Sequence, residues 1–282
     1  PQRSGADALY NSSHVPHDSR WHLPLPDAAA TRDDLARQLE ASLALLRDAG
    51  PGHDALYFFR LALLHEDMHH EAALYMARGL GIPIEDPRWR AGQLPEPAAP
   101  LVVPACRWTL GSAGRDGFAF DNELATWAVA LDGFAIDRQA VRWAEYLPFV
   151  EAGGYEQPHW WSEAGARWRA TQAAAVPRYL RRGASGWQQW RDGGWCALDL
   201  QQAASHLTLH EAEAWCRWAG RRLPTEAEWE CAAMGAPDDF RWGDVWEWTA
   251  SPFAPFPGFE PHPYRDYSAP WFDGRPVLQL FY

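Results

Sequence analysis

His65 and His69 stand four residues apart in the run His65-Glu66-Asp67-Met68-His69-His70-Glu71. On a helix that spacing puts both imidazoles on one face, one turn apart, where both reach a single metal ion. Three histidines and three acids interrupt an otherwise apolar segment. A buried imidazole or carboxylate costs free energy unless it is paired or metal-bound, so the cluster needs partners. The plain alternative is a set of hydrogen-bonded or solvated side chains. Two histidines and a carboxylate suit non-haem iron, and His-rich sites also take zinc, copper or nickel; spacing does not choose among them.

The element that must carry the histidines is a long helix from Asp54 to Leu80. It opens after Pro51-Gly52 and stops at Gly81, with Pro83 beyond. Leu56, Phe59, Leu63, Met68, Leu74 and Met76 give it apolar surface. An earlier helix is expected from a Thr31 cap to about Asp48, with Asp33 and Asp34 in its first turn. Leu35, Leu39, Leu43 and Leu46 recur along it at four, four and three. Two long helices with a short connection read as antiparallel bundle neighbours. Residues 1–26 look irregular, with His14, His17 and His22 as surface-loop histidines.

Between Pro83 and Pro104 six prolines argue against both helix and central strand, so residues 83–104 read as an extended linker. Beyond it the pattern breaks into short pieces. Strands are expected within Trp127 to Ile136, and short helices at Ala144 to Glu151 and Thr208 to Ala219. The expected organisation is a metal-binding helical bundle over 1–82, the linker, and an α+β domain with long loops over 105–282.

Composition bounds the function. The chain has 282 residues, 47% hydrophobic, enough for two domains. A net charge of -12 argues against a nucleic-acid partner, which normally meets a basic stripe. No apolar run is long enough to span a bilayer and no signal peptide is visible, so no membrane partner is expected. Four scattered cysteines without a CxxC pair, in an acidic chain, read as cytoplasmic with reduced thiols. Eighteen tryptophans suit irregular packing or an aromatic-lined pocket.

Several runs in the second half resemble the formylglycine-generating enzyme/sulfatase-modifying domain, a C-type-lectin-like fold. They are Phe120-Asp121-Asn122-Glu123, Gly153-Gly154-Tyr155, His210 through Gly220, Arg222-Leu223-Pro224-Thr225-Glu226-Ala227-Glu228-Trp229-Glu230 and Val245-Trp246-Glu247-Trp248-Thr249. The first half resembles a DinB-like bundle with the metal motif HxxxHxE, here His65, His69 and Glu71. The two in this order resemble the ergothioneine sulfoxide synthase family, of which selenoneine synthases are a branch. That resemblance implies a non-haem Fe(II) enzyme that uses O2 to join sulfur or selenium to the imidazole C2 of hercynine. Its partners are small molecules: hercynine, a chalcogen donor and O2. Gly243-Asp244-Val245-Trp246, where Gly-Asn-Val-Trp is commoner, leans toward the selenium branch with a selenosugar donor. The alternative donors are cysteine and γ-glutamylcysteine.

By the same resemblance His65 and His69 are two of three iron histidines, and Glu71 lies outside the metal's ligand set. Tyr264-Arg265-Asp266-Tyr267 matches a YxxY pair. Tyr264 takes the role of proton donor during oxygen reduction, and Tyr267 lies beside it in the substrate pocket. Arg20 falls near the family's arginine for the donor's carboxylate. Trp242, Trp246 and Trp248 are core residues or a cage for hercynine's trimethylammonium, with Trp246 the substrate-binding candidate. Glu226, Glu228 and Glu230 look like paired acids, but their run is structural in this fold. The third iron histidine and the C-terminal substrate-binding segment of the family are expected outside this sequence, before Pro1 and after Tyr282.

Two other readings compete. The formylglycine-generating reaction needs a late cysteine pair, and no cysteine follows Cys231. A lectin-like binding module without chemistry would share the fold, since fold alone does not set function.

Overall fold

The computed structural model describes the chain apart from residues 1–4, 12–14, 86, 87, 89, 90, 115, 116, 174, 262–266, 273, 275 and 280–282. A short helix, α1 (Ala6–Tyr10), and a 3-10 segment over His17–His22 precede two long helices, α2 (Ala28–Asp48) and α3 (His53–Leu80). The start of α2 corrects the expected Thr31 cap. Asp27 is the cap, its carboxylate accepting the Ala30 amide at 2.8 Å, while the Thr31 hydroxyl donates back to the Asp27 carbonyl. An earlier Asp outcompetes a later Thr because its carboxylate offers a stronger acceptor to the free amides of the first turn. The leucine stripe of α2 forms as expected, yet α2 buries none of its residues: Leu35, Leu39, Leu43 and Leu46 stay exposed. The described residues thus hold a helical pair rather than a closed bundle.

α3 ends where Gly81 turns into the left-handed region at φ 71°, its N–H returning to the carbonyls of Ala77 and Arg78. Along α3 only Tyr57 and Leu61 are buried. With His65 and Met68 they make a stripe spaced four, four and three, so one side of the helix turns from apolar to chemical as it is followed toward its C-terminus.

The second half mixes strands and helices, in agreement with the expected α+β class. β1 (Leu101–Val103) pairs antiparallel with β4 (Phe134–Ile136), and β2 (Cys106–Leu110) with β3 (Trp127–Leu131). A three-stranded meander follows, β5 (Leu180–Gly183), β6 (Gly186–Arg191) and β7 (Gly194–Ala197). β8 (Glu247–Pro252) pairs with β9 (Pro276–Gln279). Four helices, α4 (Trp143–Glu151), α5 (Glu163–Ala170), α6 (Leu209–Trp218) and α7 (Glu226–Gly235), complete it. β1 falls inside 83–104 as one side of a two-stranded ladder, an edge strand and not a central one. Three residues free of proline between Pro100 and Pro104 suffice for one side of a two-stranded ladder, where proline's missing donor costs little at the ends. The rest of that stretch is tied to the second half: the Leu94 amide donates to the Gln201 carbonyl, and Glu96 pairs with the buried Arg142 at 2.9 Å.

Tryptophans and tyrosines build the core. Trp143, Tyr146 and Phe149 of α4 pack with Trp161 and with Trp215 of α6. At its centre the Tyr155 hydroxyl donates to the Glu211 carboxylate at 2.6 Å, and Glu211 also accepts the Thr208 amide that it caps. Burial raises the Glu211 carboxyl above its usual range. The run Arg222 to Glu230 has a matching logic. Thr225 and Glu228 form a capping box at the start of α7, Arg222 grips Glu228, and Glu230 accepts from the Trp108 indole and the Gly111 amide. Glu228 and Glu230 therefore join α7 to its surroundings.

The C-terminal end of α3 docks on the β6–β7 hairpin. The Trp190 indole donates to the Arg78 carbonyl at 3.3 Å. Gly193, at φ 74°, approaches so closely that a Cβ there would lie 2.6 Å from the Gly81 carbonyl oxygen. No helix among the described residues is long and apolar enough to cross a membrane.

Candidate metal centre

The two helical histidines converge. His65 Nε2 and His69 Nε2 lie 3.0 Å apart, with ring planes 83° to each other. Two nitrogens held side by side on one ion at the roughly 2.1 Å of metal–imidazole bonds would lie about 3 Å apart at a right angle. The pair therefore fits two adjacent ligands of one metal. Burial first, and then the nearby His69, lowers the His65 pKa from 6.5 and favours the neutral imidazole that a metal requires. Among the described residues no group of three or more His, Cys, Asp or Glu side chains could hold an ion. The third ligand of the expected set is thus not among them, and His14 lies outside the described residues.

The second half supplies an aromatic wall opposite this stripe of α3. Tyr57 packs on Phe118 at 5.1 Å between ring centroids, Phe118 meets Phe120 edge-on at 4.9 Å, and Phe120 stacks on Tyr267 at 5.7 Å with planes 5° apart. Tyr267 then meets His65, its hydroxyl 3.3 Å from Nδ1 and 3.8 Å from the Met68 sulfur. Asp121 and Glu123 lie beside this wall. Burial, then the Asp121 charge, pushes the Tyr57 phenol up to about 12 and raises Tyr267 as well, so both are protonated phenols at neutral pH.

A second bridge lies one turn beyond. The Trp246 indole N–H donates to the Glu71 carboxylate, across 175 residues of sequence. Glu71 thereby links the histidine helix to the second half. Of the three clustered tryptophans, Trp242 packs on Trp229 and the Trp248 indole donates to the Leu207 carbonyl, while Trp246 reaches the histidine helix with 37% of its surface exposed.

The fold thus brings His65, His69, Tyr267 and Trp246 to one region. Arg20 sits in the N-terminal 3-10 segment and donates to the Val15 carbonyl. Tyr264 lies outside the described residues. Sequence reasoning missed Tyr57, Phe118, Phe120 and Met68 as neighbours of the site. The signal for Tyr57 and Met68 was present in their four, four, three spacing with Leu61 and His65; for the two phenylalanines it lay only in their place beside Asp121.

Residues 90–244 match the sulfatase-modifying factor enzyme 1-like domain. The match begins inside the Pro-rich stretch, whose Leu94 is buried against the second half. The hercynine oxygenase of Mycolicibacterium smegmatis is 31% identical over 331 aligned positions, covering 97% of this chain and 75% of that protein. The hercynine oxygenase of Mycolicibacterium thermoresistibile is likewise 31% identical, with 97% and 72% covered. The formylglycine-generating enzyme of Streptomyces coelicolor is 33% identical over a shorter part, 57% of this chain and 54% of that protein. The chain carries a sulfatase-modifying-factor domain and belongs to the hercynine oxygenase family.

Proposed function

We propose that this protein is a non-haem Fe(II) enzyme that uses O2 to couple a selenium or sulfur donor to the imidazole C2 of hercynine. The observation that carries the reading is the convergence of His65 and His69 Nε2 at 3.0 Å, facing aromatic side chains from the sulfatase-modifying-factor half. Hercynine oxygenases that align along 97% of the chain support it. When bound, the iron would activate O2 and hold the chalcogen donor, with His65 and His69 among its ligands.

The chain's own residues have separable tasks. Neutral imidazoles at His65 and His69 hold the ion, and the carboxylate of Glu71 holds Trp246 against the histidine helix. Trp246 offers an aromatic face to the trimethylammonium of hercynine. Tyr267 walls the pocket. Tyr264 delivers the proton that oxygen reduction consumes, a phenol being able to act as a general acid. Arg20 binds the donor's carboxylate. The proposed donor is a selenosugar; cysteine and γ-glutamylcysteine are the alternatives.

The test is product mass after aerobic incubation of the full-length protein with Fe(II), hercynine and each donor in turn. A hercynine–selenium adduct formed fastest with the selenosugar supports the selenium reading, and a sulfoxide formed fastest with a thiol moves the protein to the sulfur branch. No adduct with any donor, in protein that holds iron, overturns the proposed reaction.

A further inference from the structure

We infer that Tyr267 is a positioning residue for the metal site: its phenol oxygen accepts a hydrogen bond from His65 Nδ1–H and so aims the His65 Nε2 lone pair at the shared ion. The inference rests on the reading of His65 and His69 as iron ligands, and gives Tyr267 a task apart from substrate contact.

The assignment follows from counting protons. A tyrosine hydroxyl has one proton to donate and lone pairs to accept with. Tyr267 donates its proton toward the Met68 sulfur, 3.8 Å away. The same oxygen lies 3.3 Å from His65 Nδ1. A neutral imidazole that gives its Nε2 lone pair to a metal holds its one proton on Nδ1. In the metal site the Nδ1 contact is therefore a hydrogen bond from the imidazole to the phenol oxygen, and the phenol proton is left to point at the sulfur. A neutral imidazole protonated on Nδ1 carries its lone pair on Nε2, and Nε2 is the nitrogen 3.0 Å from His69.

Position makes the arrangement firm. Met68 and His65 are three apart on α3, so the sulfur and the imidazole flank the phenol from one side of the helix. The Tyr267 ring stacks on Phe120 at 5.7 Å and 5°, and the next residue, Ser268, is buried with its hydroxyl 3.4 Å from Asn122. The hydroxyl is therefore placed by the sulfatase-modifying-factor half, while the ring that it orients belongs to the histidine helix. Ligand histidines commonly pass their second ring proton to a carboxylate or carbonyl. Here a phenol from the other half of the chain does so, which makes the direction of a metal ligand depend on docking of the two halves.

The test uses the full-length natural protein with Tyr267→Phe, and His65→Ala in parallel. Phenylalanine keeps the stack on Phe120, so a packing role predicts no change. Co(II) titration of the metal-free proteins should show affinity falling about ten- to a hundredfold in Tyr267→Phe, with shifted visible absorption bands. In metal-free protein labelled with 15N-histidine, His65 should be in the Nδ1–H form in wild type and a mixture of tautomers in Tyr267→Phe. Wild-type Co(II) affinity and an unchanged His65 tautomer in Tyr267→Phe, while His65→Ala loses the metal, would overturn the role of Tyr267 and leave the metal site standing. Wild-type Co(II) affinity in His65→Ala would overturn the metal assignment itself, and this inference with it.

Discussion

Gly193 and Gly81 meet back to back: a Cβ on Gly193 would lie 2.6 Å from the Gly81 carbonyl oxygen. One closes a hairpin in the second half and the other ends the histidine helix, so this contact sets how far α3 can approach the aromatic wall. Gly193→Ala should therefore do more than strain one residue. A left-handed non-glycine costs about 1–2 kcal/mol, and the clash with backbone adds to it. Gly220, at φ 68° with nothing within 4 Å of its Cβ position, is the matched control. Urea unfolding should show Gly193→Ala losing more stability than Gly220→Ala. Equal losses would mean that the docking contact is not held as described.

Trp246 and Glu71 make the second tie. Trp246→Phe keeps an aromatic face and removes the indole donor. Hydrogen bonds to charged groups contribute about 1.5–3 kcal/mol, and here that energy acts on the relation between the halves. Steady-state kinetics should show kcat/KM for hercynine falling about tenfold or more, with the unfolding midpoint little changed. Unaltered kcat/KM would remove Trp246 from the site.

For Tyr264 the expectation comes from the YxxY pattern alone. Tyr264→Phe should retain fold, iron and hercynine binding, since it removes a hydroxyl and almost no volume. Losing a general acid typically costs about a hundred- to ten-thousandfold in rate, and O2 consumption should divert to simple oxidation of the donor. Wild-type product partition in the Phe variant would withdraw the assignment.

Glu247 gives the fold a pH dependence. Its burial, only partly offset by the Trp229 indole, pushes its carboxyl from 4.5 up to about 7. The folded chain then holds a proton that the unfolded chain has released, so this group's contribution to stability falls as pH rises from about 4.5 to about 7. The shift corresponds to about 3 kcal/mol at 1.36 per unit. His206, lowered to about 4 by burial and by Arg78 and Arg178, acts in the opposite sense as pH falls below about 6.5. Comparing wild type with Glu247→Gln at pH 5 and pH 8 isolates the carboxyl. The variant should gain on wild type at pH 8, and parallel pH curves would refute the shift.

What the sequence made legible follows local chemistry. Helix α3 was readable to within one residue because Gly52 and Gly81 bracket it, and the histidine pair needed only helical spacing. The strands within Trp127 to Ile136 showed in their apolar runs. The β5–β7 meander was missed because Arg181, Arg182, Gln188 and Gln189 give it no apolar alternation. Yet Asp192-Gly193, both at positive φ, is the dipeptide that a two-residue hairpin turn favours, and that signal was there to be read. Neither the Tyr267–His65 contact nor the Trp246–Glu71 bridge is a local property. Each joins residues separated by more than 170 positions, and single-chain periodicity carries no information about such pairs. The Asp27 cap was overlooked for a different reason: Thr31 offered a competing cap with acids at suitable spacing.

The central claim is that His65 and His69 share an iron ion. Iron bound per chain, measured in the full-length protein as purified and after anaerobic reconstitution with Fe(II), tests it most directly. The account predicts about one iron in wild type and almost none in His65→Ala or His69→Ala, with both variants folded because neither side chain is buried in the core. Wild-type iron in both folded variants would contradict it.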